Sequence, residues 1–242
     1  SFSRSAESRP PDSFPSSTPG LPARDDALPF DAGSTPVVPG RLVFAHYLPA
    51  FTVSIDNKPA ASDYYTTGYL APDGESGKHQ AYGGYLRDRP LPRAPRPQSD
   101  WQLRDLQDEV RTAAAAGIDG FVLDIVQTTG DNDTRVQSVQ EQLVEAAAVV
   151  PTFKVVLMPD MSGGMQRKSV EEVAAYVAKL ATSPSVFRLS DGRLVVSPFT
   201  AENHSVSWWT KFVRAMATTY QEKVALVPLF QDEREHDSAF SA

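Results

Sequence analysis

The stretch IDGFVLDIVQ, residues 118–127, is an apolar run of strand length with a carboxylate, Asp124, near its C-terminal end. A strand that reads as continuously apolar is one buried on both faces, as in a parallel sheet covered by helices. The sequence on either side supports that reading. Immediately upstream, SDWQLRDLQDEVRTAAAAG (99–117) places Leu103, Leu106, Val110, Ala113 and Ala114 on one helical face, with a capping-box pattern from Ser99 to Gln102 and Gly117 as a stop. Further upstream, RLVFAHYLP (41–49) predicts a strand from Leu42 to Tyr47 that ends at Pro49, a residue with no N–H to donate.

The same alternation continues downstream. Asp133 is placed to cap a helix whose Val136, Val139, Leu143 and Ala147 face inward. FKVVLMPD (153–160) reads as a strand, and SVEEVAAYVAKLA (169–181) as a helix opened by a Ser169–Glu172 capping box. RLVVSPFTAE (193–202) is a strand, VSWWTKFVRAMATTY (206–220) a helix with Trp208 and Trp209 in its core, and VALVPLFQD (224–232) a fifth strand. The βαβαβαβαβ order predicts the α/β class with a parallel sheet. A doubly wound sheet and a (β/α)8 TIM barrel both satisfy it. No Gly-rich phosphate-binding turn follows any strand, which favours the barrel. A full barrel takes about 250 residues and eight strands, so the expectation is a barrel that stops after about the fifth strand.

Two segments break the alternation. Residues 1–38 are rich in Ser, Pro, Asp and Gly without hydrophobic period, and read as a disordered leader or linker ahead of a partial barrel domain over 39–242. The chain opens without an initiator Met or a signal-peptide apolar core, which predicts that the natural N-terminus has been removed. Residues 50–99 form a long insertion carrying Tyr64, Tyr65, Tyr69, Tyr82 and Tyr85, and a loop of that length inside a compact domain is usually functional or disordered.

Composition narrows the function. Lys and Arg number 23 against 30 Asp and Glu, a net charge of −7, with no dense basic run to follow a phosphate backbone, so nucleic acid is not an expected partner. No apolar run approaches the roughly 18 residues of a membrane span. With no cysteine, disulfides, thiolate metal sites and cysteine nucleophiles are excluded, while the compartment stays open. His79, His204 and His236 lack metal-ligand spacing, and neither a nucleophile elbow nor a phosphate loop is present, so no metal or cofactor is expected.

Chemistry in a parallel barrel sits at the C-terminal ends of the strands. Those ends carry His46 and Tyr47, then Asp124 and Gln127, then Asp160, then Ser197 and Glu202, and finally Gln231 and Asp232. Such acids can accept hydrogen bonds from the hydroxyls of a neutral sugar, with the loop tyrosines as stacking faces. His46, Tyr47, Asp124, Asp160, Gln231 and Asp232 are therefore the candidate substrate-binding residues. The acids and His46 have plainer readings: Asp at a strand-to-helix junction often only forms the turn or caps the helix, and a core histidine bonded to a backbone carbonyl is the alternative for His46.

RLVFAHYLPAFTVSIDNKPAASDYY (41–65), GKHQAYGGYLRDRPLPR (77–93) and DWQLRDLQDEVRTAAAAGIDGFVLDIV (100–126), in that order, resemble the N-terminal part of glycoside hydrolase family 71 in its bacterial branch. The resemblance implies a (β/α)8-barrel endo-α-1,3-glucanase, or mutanase, that is secreted or surface-acting and takes a polysaccharide substrate. It also implies an acid and a base as two carboxylates three apart, in a segment like W-N-D-Y-G-E-S. No such segment occurs here. Asp232 and Glu235 in DERE have the separation without the flanking residues. Asp124 is then expected to bind substrate or shape the site, and a non-catalytic carbohydrate-binding or scaffold remnant is the alternative.

Overall fold

The structure, a computed structural model, describes residues 40–128 and 134–231, all within the unit Thr35–Ala242. The expected leader over 1–38, the cap Asp133, and Asp232 with the rest of DERE lie outside the described residues. The elements run β1 (Phe44–Tyr47), α1 (Trp101–Ala115), β2 (Gly120–Ile125), α2 (Thr134–Ala146), β3 (Lys154–Pro159), α3 (Val170–Ala181), β4 (Leu194–Val196), α4 (Val206–Thr219) and β5 (Val224–Leu226).

The five strands form one parallel sheet in the order β1-β2-β3-β4-β5. That order settles the architecture. A doubly wound sheet reverses its strand order partway, which carries its helices to both faces. A monotonic order with crossovers of constant hand keeps every helix on one face, as in a barrel wall. The sheet is thus a five-stranded part of a (β/α) barrel.

Register defines the two faces. Tyr47 pairs with Leu123, Leu123 with Leu157, and Leu157 with Val196. This row joins Leu106, Val139, Leu143, Val177 and Phe212 of the helices in one continuous core. The alternate row, His46, Val122, Asp124, Met158 and Asp160, faces the barrel interior, because successive side chains of a strand point to opposite sides. Gly120 begins β2 where only hydrogen fits: a Cβ there would meet the Lys154 carbonyl oxygen at 2.1 Å and the Phe44 ring at 2.6 Å.

The Ser169–Glu172 capping box forms as expected. The box expected from Ser99 does not, since α1 starts one residue later with Asp100 at its cap and the Asp100 carboxylate accepts from Arg104 instead. Strand β1 is shorter than expected, with Leu42 and Val43 exposed. Trp209 is buried in α4 and donates its indole N–H to the Ala201 carbonyl, a core role as expected.

The insertion is ordered. It holds a single π-helical turn at Tyr65–Tyr69, and is fastened to α1 by charge: Arg93 and Arg96 both contact Asp105, and Arg96 also reaches Asp108 at 2.5 Å. Asp105 is almost wholly buried, so this pairing is what makes its charge tolerable.

Candidate functional site

Three of the expected residues converge at the C-terminal end of the sheet. Asp124 is the penultimate residue of β2 and faces the barrel interior, with its side chain 6% exposed and Oδ1 lacking any hydrogen-bond partner. Its Oδ2 lies 3.9 Å from Nε2 of His46, which reaches across from β1 and is about half exposed. Asp160 follows β3 on the same face and accepts from both the backbone N–H and the hydroxyl of Ser162 through Oδ1, at 2.8 and 2.6 Å.

The electrostatics follow from burial. Desolvation, reinforced by the nearby Asp160 charge, pushes the Asp124 carboxyl up to about 7. Burial also moves His46 below its usual value, opposed by Asp160, so the imidazole is neutral at pH 7 and its contact with Asp124 is not an ion pair there. A carboxyl that titrates near neutrality can accept or donate a hydrogen bond to a ligand hydroxyl.

Tyr47 does not join them. Its register sends it to the helix side, where it is buried, packs on Phe121 with ring centroids 4.9 Å apart, and donates its hydroxyl to Glu109 Oε2 at 2.6 Å. The strand's alternation is the reason: His46 and Tyr47 cannot both face the interior. Gln231 lies at the exposed rim beyond β5, where its N–H donates to Glu202 Oε1 at 2.7 Å. Ser197 donates to the Val227 carbonyl and so ties β4 to the segment after β5.

Two contributors were not singled out in the sequence. Phe199 pairs in register with Asp160 and lies 6.4 Å from His46, centroid to centroid. It stands two residues beyond Ser197, so strand alternation carried the signal. Gln140, fully buried in α2, accepts from the Val126 N–H and donates to the Gln127 carbonyl and the Tyr176 hydroxyl, holding the backbone just after Asp124. A helix glutamine carries no such signal in sequence. Among the described residues no group of three His, Cys, Asp or Glu could hold a metal ion.

The model of glycosyl hydrolase family 71 matches residues 96–241, more than half of the chain. The chain belongs to glycosyl hydrolase family 71. Membership brings glycoside-hydrolase chemistry at the family level, and the match includes α1, β2 with Asp124, and Asp160. No curated protein sequence matched this family 71 chain. Among solved structures, it is similar to the GH99 endo-alpha-mannosidase from Bacteriodes thetaiotaomicron in complex with BIS-TRIS-propane, at 15% identity and a TM-score of 0.42. That similarity covers 57% of this chain and 43% of the mannosidase chain, so the chain spans less than half of its length.

Proposed function

We propose that this family 71 chain, of the bacterial branch, supplies the substrate-binding part of a secreted or surface-acting endo-hydrolase of α-1,3-glucan. The observation that carries the reading is Asp124, a carboxyl buried at a strand's C-terminal end with one oxygen unpartnered. An unsatisfied buried polar atom costs about 1 to 3 kcal/mol, and a sugar hydroxyl placed against it recovers that cost. His46 and Asp160 flank it with further polar atoms, and Phe199 offers an apolar face to a sugar ring. Gln231 follows β5 at the exposed rim, and Asp232 is assigned to binding from its place next to it in the sequence alone.

Cleavage then proceeds by a general acid and a base across an oxocarbenium-like transition state. Asp124 is given the binding role, orienting a hydroxyl next to the scissile bond, rather than that of acid or base. The second reading is a carbohydrate-binding module without catalysis, in which Asp124, His46 and Asp160 hold sugar hydroxyls and no bond is cleaved.

Both readings place glucan against Asp124. Above about pH 7, where Asp124 is ionised, retention of the chain on α-1,3-glucan should fall about ten- to a hundredfold in Asp124→Asn, the loss of a charge-assisted bond worth roughly 1.5 to 3 kcal/mol. Unchanged retention by a folded variant removes Asp124 from the site. Reducing-sugar release by the wild-type chain, abolished in Asp232→Asn or Glu235→Gln, would replace the binding-module reading with catalysis by DERE.

A further inference from the structure

The 50–99 insertion borders an open, solvent-facing cavity of about 690 Å³ lined by Tyr64, Tyr69, Tyr85, Glu75, His79 and Arg135. It is separate from the Asp124 cluster in its residues: all but Arg135 lie in the insertion between β1 and α1, and Arg135 lies in the first turn of α2. The volume lies within the roughly 300–1,000 Å³ typical of small-molecule sites.

Its walls are built for a fixed shape. Tyr69 and Tyr85 meet edge to face at 5.1 Å, Tyr64 meets Tyr69 at 5.1 Å, and the His79 ring lies 4.7 Å from that of Tyr85. The backbone N–H groups of Tyr85 and Leu86 both donate to the Tyr69 carbonyl, at 2.8 and 3.0 Å, which locks the far wall to the π-helical turn. Gly74 lets the next turn pack backbone on backbone, since a Cβ there would stand 1.9 Å from the Gly68 oxygen.

Glu75 is held at a cost. Its φ is 51° and that of Ser76 is 63°, two consecutive left-handed residues that are not glycine. Strain of this kind, of order 1 to 3 kcal/mol per residue, persists where the surroundings over-determine it, and it clusters at functional sites. Here the Tyr64 hydroxyl donates to Glu75 Oε1 at 3.0 Å and His79 Nε2 lies 3.6 Å from Oε2, fixing the carboxylate in the cavity wall. Arg135 is in turn hydrogen-bonded to Tyr69.

The chemistry of the lining specifies its ligand. Two carboxylates, Asp56 and Glu75, are matched by two cations, Lys78 and Arg135, so the cavity selects neither anions nor cations. Aromatic faces suit the C–H face of a sugar ring, and alternating acceptors and donors suit its hydroxyls. Tyr85 is 46% exposed, leaving ring surface open to a ligand.

We propose that this cavity is a second glycan subsite that takes a neutral pyranose, with Tyr85 as its platform and Glu75 as its hydroxyl acceptor. It rests on the carbohydrate reading of the chain but not on the role given to Asp124. The test is calorimetric titration of the full chain with a neutral α-1,3-linked gluco-oligosaccharide, a neutral α-linked manno-oligosaccharide and an acidic oligogalacturonide. Tyr85→Ala and Glu75→Gln are compared with Asp124→Asn, each verified as folded by circular dichroism. The expected result is binding of at least one neutral probe, weakened about tenfold or more by Tyr85→Ala and also by Glu75→Gln, and persisting in part in Asp124→Asn. Neutral-probe binding lost in Asp124→Asn but untouched by Tyr85→Ala overturns the subsite while leaving the Asp124 reading standing. Preferential binding of the oligogalacturonide, or no binding of any probe, overturns the subsite as well.

Discussion

His46 and Tyr47 are adjacent in β1 yet serve opposite sides of the sheet: the His46 imidazole stands 3.9 Å from Asp124 in the interior, and the Tyr47 hydroxyl is bonded to Glu109 on α1 at 2.6 Å. Glu109 also accepts from the Val53 N–H at 3.0 Å, so this one carboxylate ties strand, helix and the start of the insertion together. Burial raises the Glu109 carboxyl, and its two donors oppose that shift.

Tyr47→Phe tests this tie. The ring remains packed on Phe121 while the buried Glu109 carboxylate loses its shortest bond, between sheet and α1. Stability should fall by about 1 to 3 kcal/mol in urea denaturation, and retention on glucan by the folded protein should not change. A stable variant with impaired retention would return Tyr47 to the substrate site.

The pH dependence of Asp124 has a definite sign. Its folded value of about 7 exceeds the ordinary 3.8, so the folded state holds a proton that the unfolded chain has released between those limits. The group's contribution is most favourable below about pH 4 and is lost as pH rises to about 7, amounting to roughly 4 kcal/mol at most. Asp124→Asn abolishes that dependence. The melting temperature of the variant relative to wild type should therefore climb from pH 4 to pH 7 and level off above it; a constant difference across the range refutes the buried-carboxyl account.

Removing the charge that fastens the insertion should loosen it selectively. Asp105→Ala leaves Arg93 and Arg96 without their shared buried partner, and breaking such a group costs about 3 to 5 kcal/mol. Hydrogen exchange should accelerate over residues 50–99 more than over β2 and β3. Uniform acceleration across the sheet would show that the pairing supports the whole fold and not the loop.

Gly120→Ala is expected to destabilise by about 3 kcal/mol or more, because the added methyl meets the Lys154 backbone as well as the movable Phe44 ring. Adding Phe44→Ala should recover only part of the loss. Full recovery would place the whole conflict on the ring.

The alternation of apolar runs with amphipathic helices, and the capping box at Ser169, were sufficient in sequence to specify four β/α units and a fifth strand, because period and cap chemistry are local properties. Strand-end position likewise brought out His46, Asp124 and Asp160 without any knowledge of pairing. Tyr47 shows the limit: belonging to a strand end does not say which face a residue takes, and the register Tyr47–Leu123–Leu157 that decides it is a relation between strands. The monotonic strand order that separates barrel wall from doubly wound sheet is also non-local. The insertion shows it most fully. Its tyrosines were visible, but a cavity among Tyr64, Tyr69, Tyr85 and Arg135 exists only when segments far apart in the chain are packed together, and no local pattern encodes that distance.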